Sequence, residues 1–464
     1  MQQKLTLPSP GTLIRYVDFD GSSDALFLAQ LAQQTKPVAI ITANARDAQR
    51  LLEEIPFFAP ELKVHLLPDW ETLPYDTFSP HHDLVSERLA TLYQVMNGAC
   101  DVLIAPLTTA LYRMLPREYL AAHTFFLKQG DMLDLAGLRS QMTLAGYSHV
   151  TQVFSPGEYS VRGGLIDLFP MGSPLPYRID LLDNEIDTIR TFDVDTQRSI
   201  YPVNEIRLLP AREFPLDEAG RTCFRGNFRE KFEGDPSKKQ IYKDISKGMT
   251  PAGIEYYLPL FFEQTATLFD YLPENNLICL HHDIRPIMEE FWHDTQSRYQ
   301  LLRADIERPL LPPGELFLSS DIFFSKLKPY ARVEILSGAQ DLKHTAKKIT
   351  SPLPSIQVNR HIDNPLEKLT AFMTPFTQSG GRILLLAESM GRRELIAEYL
   401  NQYDLHPTSC QDYVQFLTGT QTFSLGVSPL HNGFVLNDAR LAFITESELY
   451  ATHVHGRRER ESRK

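Results

Sequence analysis

Nowhere in the sequence does a glycine precede Lys-Ser or Lys-Thr, so the chain lacks the ending of a P-loop. That loop works because backbone amides hold the phosphates, a lysine neutralises them and a hydroxyl binds magnesium. Where a nucleotide-binding α/β domain would carry it, before the helix that precedes Val38, the chain reads Asp20-Gly21-Ser22-Ser23-Asp24-Ala25. Two aspartates without a lysine repel a triphosphate. Gly-x-Gly-x-x-Gly and Gly-x-Ser-x-Gly are missing too, which leaves dinucleotide binding and the common hydrolase elbow without a signature. Cysteine is scarce. Cys100, Cys223, Cys279 and Cys410 are scattered and form no Cys-x-x-Cys, which excludes a zinc ribbon and a disulfide framework.

Long apolar runs are also missing. Stretches such as Val102 to Ala105 and Ile383 to Ala387 fall far short of the ~20 residues of a membrane span, and the first residues carry no secretory h-region. A cytoplasmic chain with no membrane contact is expected. Its formal net charge of −12 opposes general binding to nucleic acid, where affinity comes from concentrated Lys and Arg. Such a chain is expected to act through proteins. The run Arg457 to Lys464 is rich in Arg but interleaved with Glu, and reads as a solvated tail.

What is present is length and pattern. The 464 residues imply roughly three or four domains. Val38–Thr42, Val64–Leu67 and Val102–Ala105 read as strands. Ala45–Ile55 reads as a crossover helix with Ala48, Leu51, Leu52 and Ile55 on one face, and Val85, Leu89, Leu92 and Met96 mark another helix. Strands alternating with helices imply a parallel sheet, hence the first half of an α/β domain over residues 1–123. Between residues 124 and 209 the texture changes. Tyr159–Phe169, Pro176–Leu182 and Ile186–Phe192 are strand-like stretches separated only by turns, which predicts a small inserted antiparallel β-rich domain. Residues 210–347, with strands at Leu277–Leu280 and Val333–Leu336, read as the second half of the α/β domain. After a linker from Pro352 to Asn364, Leu366–Phe376 (helix), Arg382–Ala387 (strand), Arg392–Leu400 (helix) and Leu441–Thr445 (strand) predict a separate small α/β domain over 348–450, leaving 451–464 as a charged tail.

Other candidate motifs have plainer readings. Asp217-Glu218-Ala219 looks like a helicase acidic box but follows no apolar strand. His81-His82-Asp83 offers adjacent ligands that point apart on a helix, so a capping Asp83 and surface imidazoles are expected, with His453 and His455 read the same way. No metal site is expected. The aromatic loop from Trp70 to Phe78 and the string from Pro251 to Phe262 read as packing between the halves of the α/β domain.

Several long strings carry a family resemblance: Asp69 to Pro80, Gly157 to Gly172, Pro176 to Asp180, Pro251 to Phe262 and Phe443 to Tyr450. Through them the chain resembles the N-terminal, UvrB-like module of the bacterial transcription-repair coupling factors (Mfd). The resemblance implies a degenerate nucleotide-binding-type α/β domain, catalytically silent and without a cofactor of its own. Family members hydrolyse ATP with Mg2+ through a DNA translocase, and bind RNA polymerase and DNA, in parts that lie beyond this chain. It also implies that the inserted domain docks the repair protein UvrA, so that repair gathers at stalled polymerase. In the family a distal C-terminal domain can mask that surface.

The family's docking positions, two arginines and a Phe, fall here on Arg162, Arg178 and Leu182, the last a departure from the pattern. An aliphatic side chain still fills an apolar pocket but gives up aromatic area. Strand alternation independently puts Tyr177, Ile179 and Leu181 on one face, read as core, and Arg178, Asp180 and Leu182 on the other. The plainer reading pairs Arg178 with Asp180 or another carboxylate, and has Arg162 satisfy carbonyls of the Gly163-Gly164 turn.

Overall fold

The structure, a computed structural model, describes residues 4–337 and 349–450; the charged tail with His453 and His455 lies outside the described residues. Six strands form one wholly parallel sheet in the order Leu13–Val17, Ala331–Leu336, Leu277–His281, Val38–Thr42, Val102–Pro106 and Val64–Leu66. The chain therefore leaves this sheet at Pro106 and returns to its centre at Leu277. Parallel strands need cover on both faces, and the alternation shows how it is supplied. Val38, Ile40, Val102 and Ile104 join one apolar core, while Ala39, Ile41, Leu103 and Ala105 join another.

The two cores belong to different neighbours. The first continues through helices Ser23–Gln34 and Ala45–Phe58 into Leu384, Leu386, Phe434 and Phe443 near the end of the chain. The second continues through helix His82–Met96 into Leu127, Leu168, Ile179 and Ile189. Each fully buried Leu or Phe stabilises by ~1.5–3 kcal/mol relative to exposure, so these junctions are integral to the fold.

Residues 148–203 build a second sheet in the order Ser199–Val203, Glu185–Phe192, Tyr177–Leu182, Leu165–Leu168, Glu158–Arg162 and Ser148–His149, antiparallel except at its last pair. Tyr159–Phe169, expected as one strand-like stretch, is a hairpin. Gly163, at φ 60°, breaks it, a left-handed conformation that suits glycine.

The last sheet runs Thr350–Ser351, Phe434–Leu436, Leu441–Thr445, Arg382–Ala387, Phe423–Val427 and Thr408–Ser409. One face of it covers a core of its own, and the other shares a core with the first α/β domain. Ile383, Leu385 and Ala387 face the domain's own interior, whereas Leu384 and Leu386 face the first α/β domain. Phe58 makes edge contacts with Tyr413 at 5.1 Å and Phe443 at 6.1 Å across that junction.

Helices between residues 218 and 316 enclose an aromatic cluster with Trp70, Tyr75 and Tyr112. Trp70 donates to Glu213 at 2.6 Å, Arg88 pairs with the same buried carboxylate, and Tyr75 donates to the Leu311 carbonyl. The aromatic loop is thus packing at Trp70 and Tyr75, although Phe78 is exposed. Asp217 is the N-cap of helix Glu218–Lys231, accepting from the Gly220 amide, which accounts for its acidic-box appearance. His81, not Asp83, caps helix His82–Met96. All four cysteines are free.

Candidate docking face and the filled phosphate-loop position

Charged side chains gather at two places. One lies at the carboxyl end of strand Leu13–Val17, where helix Ser23–Gln34 begins. There Ser22 donates from its amide to the Asn432 carbonyl (3.0 Å) and from its hydroxyl to Glu54 (3.0 Å), and receives the Asn432 amide (3.2 Å). The His431 amide donates to the same Glu54 oxygen at 3.0 Å. Gly21, at φ 55°, sits so close to the last domain that a Cβ there would lie 2.1 Å from the Gly433 carbonyl oxygen. The loop around residues 431–433 thus occupies the space in front of the helix.

Behind it lies a charged cluster. Arg50 grips Asp24 with both terminal nitrogens (2.9 and 2.5 Å) and reaches Glu54 at 2.9 Å, while His281 Nε2 meets Asp24 at 2.8 Å. Burial opposes the charge on Asp24, yet hydrogen bonds from His281 and Arg50 hold its carboxyl well below the usual range. Burial pushes the wholly enclosed Glu54 carboxyl up to about 7 despite Arg50. Ser22, Asp24, Arg50 and Glu54 are thus all engaged by protein contacts.

The other place is the outer side of the inserted sheet. Ile179 is buried in the second core with Tyr177 and Leu181 packed against it, so the inner face is the one that alternation gives. Register puts Asp167 opposite Arg178, Leu165 opposite Asp180 and Arg162 opposite Leu165 on the outer face. Arg178 forms a two-toothed pair with Asp167 (2.8 and 3.1 Å), donates to the Gln197 carbonyl (2.9 Å) and lies 4.6 Å over the Phe192 ring. Its side chain is only 20% exposed and Asp167 is 2% exposed, so this is a fixed internal pair. The partner is Asp167, across the hairpin, and not Asp180.

Arg162 differs. Its side chain is 61% exposed, and the tip of its guanidinium is 3.9 Å from Asp167, a looser contact than that of Arg178. Leu182 is 67% exposed at the turn end of its strand. Asp183, at φ 56°, makes the two-residue turn with Asn184 that leads to Glu185, a position Asp tolerates. The Gly163-Gly164 turn lies at the same end, for Leu181 donates to the Gly164 carbonyl at 2.8 Å. Glu185, opposite Leu182 in register, also bridges to Met132, itself 71% exposed. Nothing in the Asp131-Met132-Leu133 sequence signals that neighbour.

Comparison with known proteins agrees with this layout. The sequence pattern of the UvrB interaction domain matches residues 125–214, and that of the MFD D3 domain matches residues 375–449. The chain is 39% identical over 462 residues to the transcription-repair-coupling factor of Escherichia coli (strain K12), covering 99% of this chain and 40% of that protein. The Haemophilus influenzae protein of the same name is 39% identical over 450 residues, covering 95% of this chain and 38% of that protein. The Bacillus subtilis one is 28% identical over 456 residues, covering 94% and 38% respectively. The chain thus spans about 40% of the length of the curated relatives it matches. With both domain patterns in place and relatives aligned along almost all of its own length, the chain belongs to the transcription-repair-coupling factor family, as a UvrB-like module.

Proposed function

We propose that this chain is a non-catalytic recruitment module of transcription-coupled DNA repair, which docks UvrA on the outer face of its inserted sheet and so gathers excision repair at stalled RNA polymerase. The observation that carries the reading is the contrast at that face: Arg162 and Leu182 stand exposed at one end of the UvrB interaction domain, beside an Arg178–Asp167 pair that fixes the strands beneath them. An exposed aliphatic side chain flanked by a guanidinium has the make-up of an interface hot spot. Arg162 and Leu182 are then contact residues, and Arg178 positions the surface.

The module uses no ATP, Mg2+ or metal for docking. ATP-driven translocation and contacts with RNA polymerase and DNA belong, in this reading, to parts of the longer protein outside this chain, as does the distal domain that masks the face at rest. A cytoplasmic site of action fits, and among the described residues no helix is long and apolar enough to cross a membrane. Equilibrium binding of this chain to purified UvrA tests the proposal. Wild-type binding that persists unchanged in the Arg162→Glu, Leu182→Ser double variant removes it; ATP turnover or salt-sensitive DNA affinity of the isolated chain contradicts the non-catalytic part.

A further inference from the structure

Beside the filled loop position lies a group of side chains that docking does not use. His281 ends strand Leu277–His281, and His282 follows at φ 70°. Adjacent residues of a strand face opposite ways, but this left-handed turn brings the two rings together, with centroids 4.1 Å apart. Opposite them, Asp47 stands in the first turn of helix Ala45–Phe58. His281 Nδ1 is 4.0 Å and His282 Nε2 is 3.8 Å from the same oxygen, Asp47 Oδ2. The geometry points to a divalent metal site formed by Asp47, His281 and His282, with zinc the ion its nitrogen and oxygen donors fit best.

Three features support it. The His281 ring is fully buried, and its Nδ1, which faces this group, has no hydrogen-bond partner, a costly arrangement for a buried polar atom. Its other nitrogen meets Asp24 at 2.8 Å. A carboxylate only accepts, so Nε2 carries the hydrogen, and in the neutral ring Nδ1 presents a lone pair. A carboxylate orienting a histidine whose second nitrogen takes the metal is the usual outer-shell arrangement of zinc sites.

Charge agrees as well. Asp24, Asp47 and Glu54 surround one guanidinium, Arg50, which approaches Asp47 through the other oxygen, Oδ1, at 3.5 Å. Asp47 Oδ2 accepts from Asn44 at 3.0 Å and keeps a second lone pair. Zinc bonds of ~2.0–2.2 Å require the three donors to draw together by roughly half an ångström. Asp47 and His282, 21% and 35% exposed, have room to do so and leave a coordination position open to water.

The location has structural meaning. The donors lie at the carboxyl ends of adjacent parallel strands, where ligands of such sheets bind, because His281 pairs in register with Thr42. A metal here would tie the helix that follows strand Val38–Thr42 to the strand by which the chain returns after its long excursion.

Cobalt(II) titration of the full chain tests the site, read by the visible absorption of nitrogen-ligated tetrahedral cobalt and repeated with zinc as competitor. The background is a His81→Ala, His82→Ala variant, which removes the other, wholly exposed group of such ligands found among the described residues. We expect one equivalent bound, a zinc-dependent rise in melting temperature, and at least ~10-fold weaker binding in His282→Ala and in Asp47→Asn. Circular dichroism confirms folding of each variant, and either one that folds decides the matter. Absence of the bands in the parent, or bands and melting shift that survive both substitutions as adventitious binding only, overturns the site.

Discussion

The carboxyl end of the parallel sheet and the outer side of the inserted sheet are both charged, but they use charge in opposite ways. At the first, Asp24, Arg50, Glu54 and Ser22 satisfy one another and the last domain's loop, and little is left for a ligand in front of the helix. At the second, one arginine is consumed in the same fashion while its neighbour is left standing in water. The lesson is that residue type does not separate a scaffold ion pair from a docking group. Burial of the arginine itself and the number of its donors already engaged do.

The sharpest way to break the comparison is Arg50→Ala, which leaves two buried carboxylates facing each other. A loss of about 4 kcal/mol in urea unfolding is expected, and a loss under about 1 kcal/mol would mean the closed end is not held by charge. Arg178→Ala comes next. It strands the buried Asp167 and should cost about 3 kcal/mol, together with UvrA binding, since the surface it supports is disturbed.

A third test uses pH. Glu54 has a folded-state pKa raised from its ordinary 4.5 to about 7, so the folded protein holds a proton that the unfolded chain has released. Its contribution is fully present below about 4.5 and is lost as pH rises through about 7. Stability should therefore fall across that window, and Glu54→Gln should flatten the fall; an unchanged slope would place the carboxyl elsewhere in pH. Asp24 has the opposite sign, its share being lost on acidification.

Arg162→Glu separates the two kinds of arginine most directly. Being exposed, it should leave stability within about 0.5 kcal/mol yet weaken UvrA binding by ~10-fold or more, equivalent to about 1.4 kcal/mol. Destabilisation as large as that of Arg178→Ala would make Arg162 a scaffold residue too. Leu182→Ser should have the smallest effect, a few-fold in affinity with unfolding unchanged, and Leu182→Phe should strengthen binding by adding aromatic area.

Legibility in the sequence followed locality. Val38–Thr42 and Arg382–Ala387 announce themselves as buried strands because their apolar runs are continuous. Strand Leu13–Val17 is not legible in the sequence, since Arg15 interrupts it and its partner, Glu334, lies far along the chain. Helix Ala45–Phe58 runs past the expected Ile55 by carrying Pro56 within it. The 18-residue helix Arg285–Leu302 gave no signal, with only Met288 and Thr295 buried. At the candidate face, alternation alone ordered Tyr177 to Leu182 correctly. It could not tell that Asp167 would capture Arg178, because the register across the intervening turn is not written in either strand. The contact of Ser22 with Asn432 and the meeting of Asp47 with His281 are further from any local pattern.

The approach of Gly21 to Gly433 has an evolutionary corollary. Writing a lysine and a threonine after this glycine would not by itself make a triphosphate cradle, because the Gly433 backbone already stands against Gly21. Point substitution can restore the chemistry of such a loop but not its vacancy. For this architecture, opening the space before the helix would first demand that an entire neighbouring domain let go.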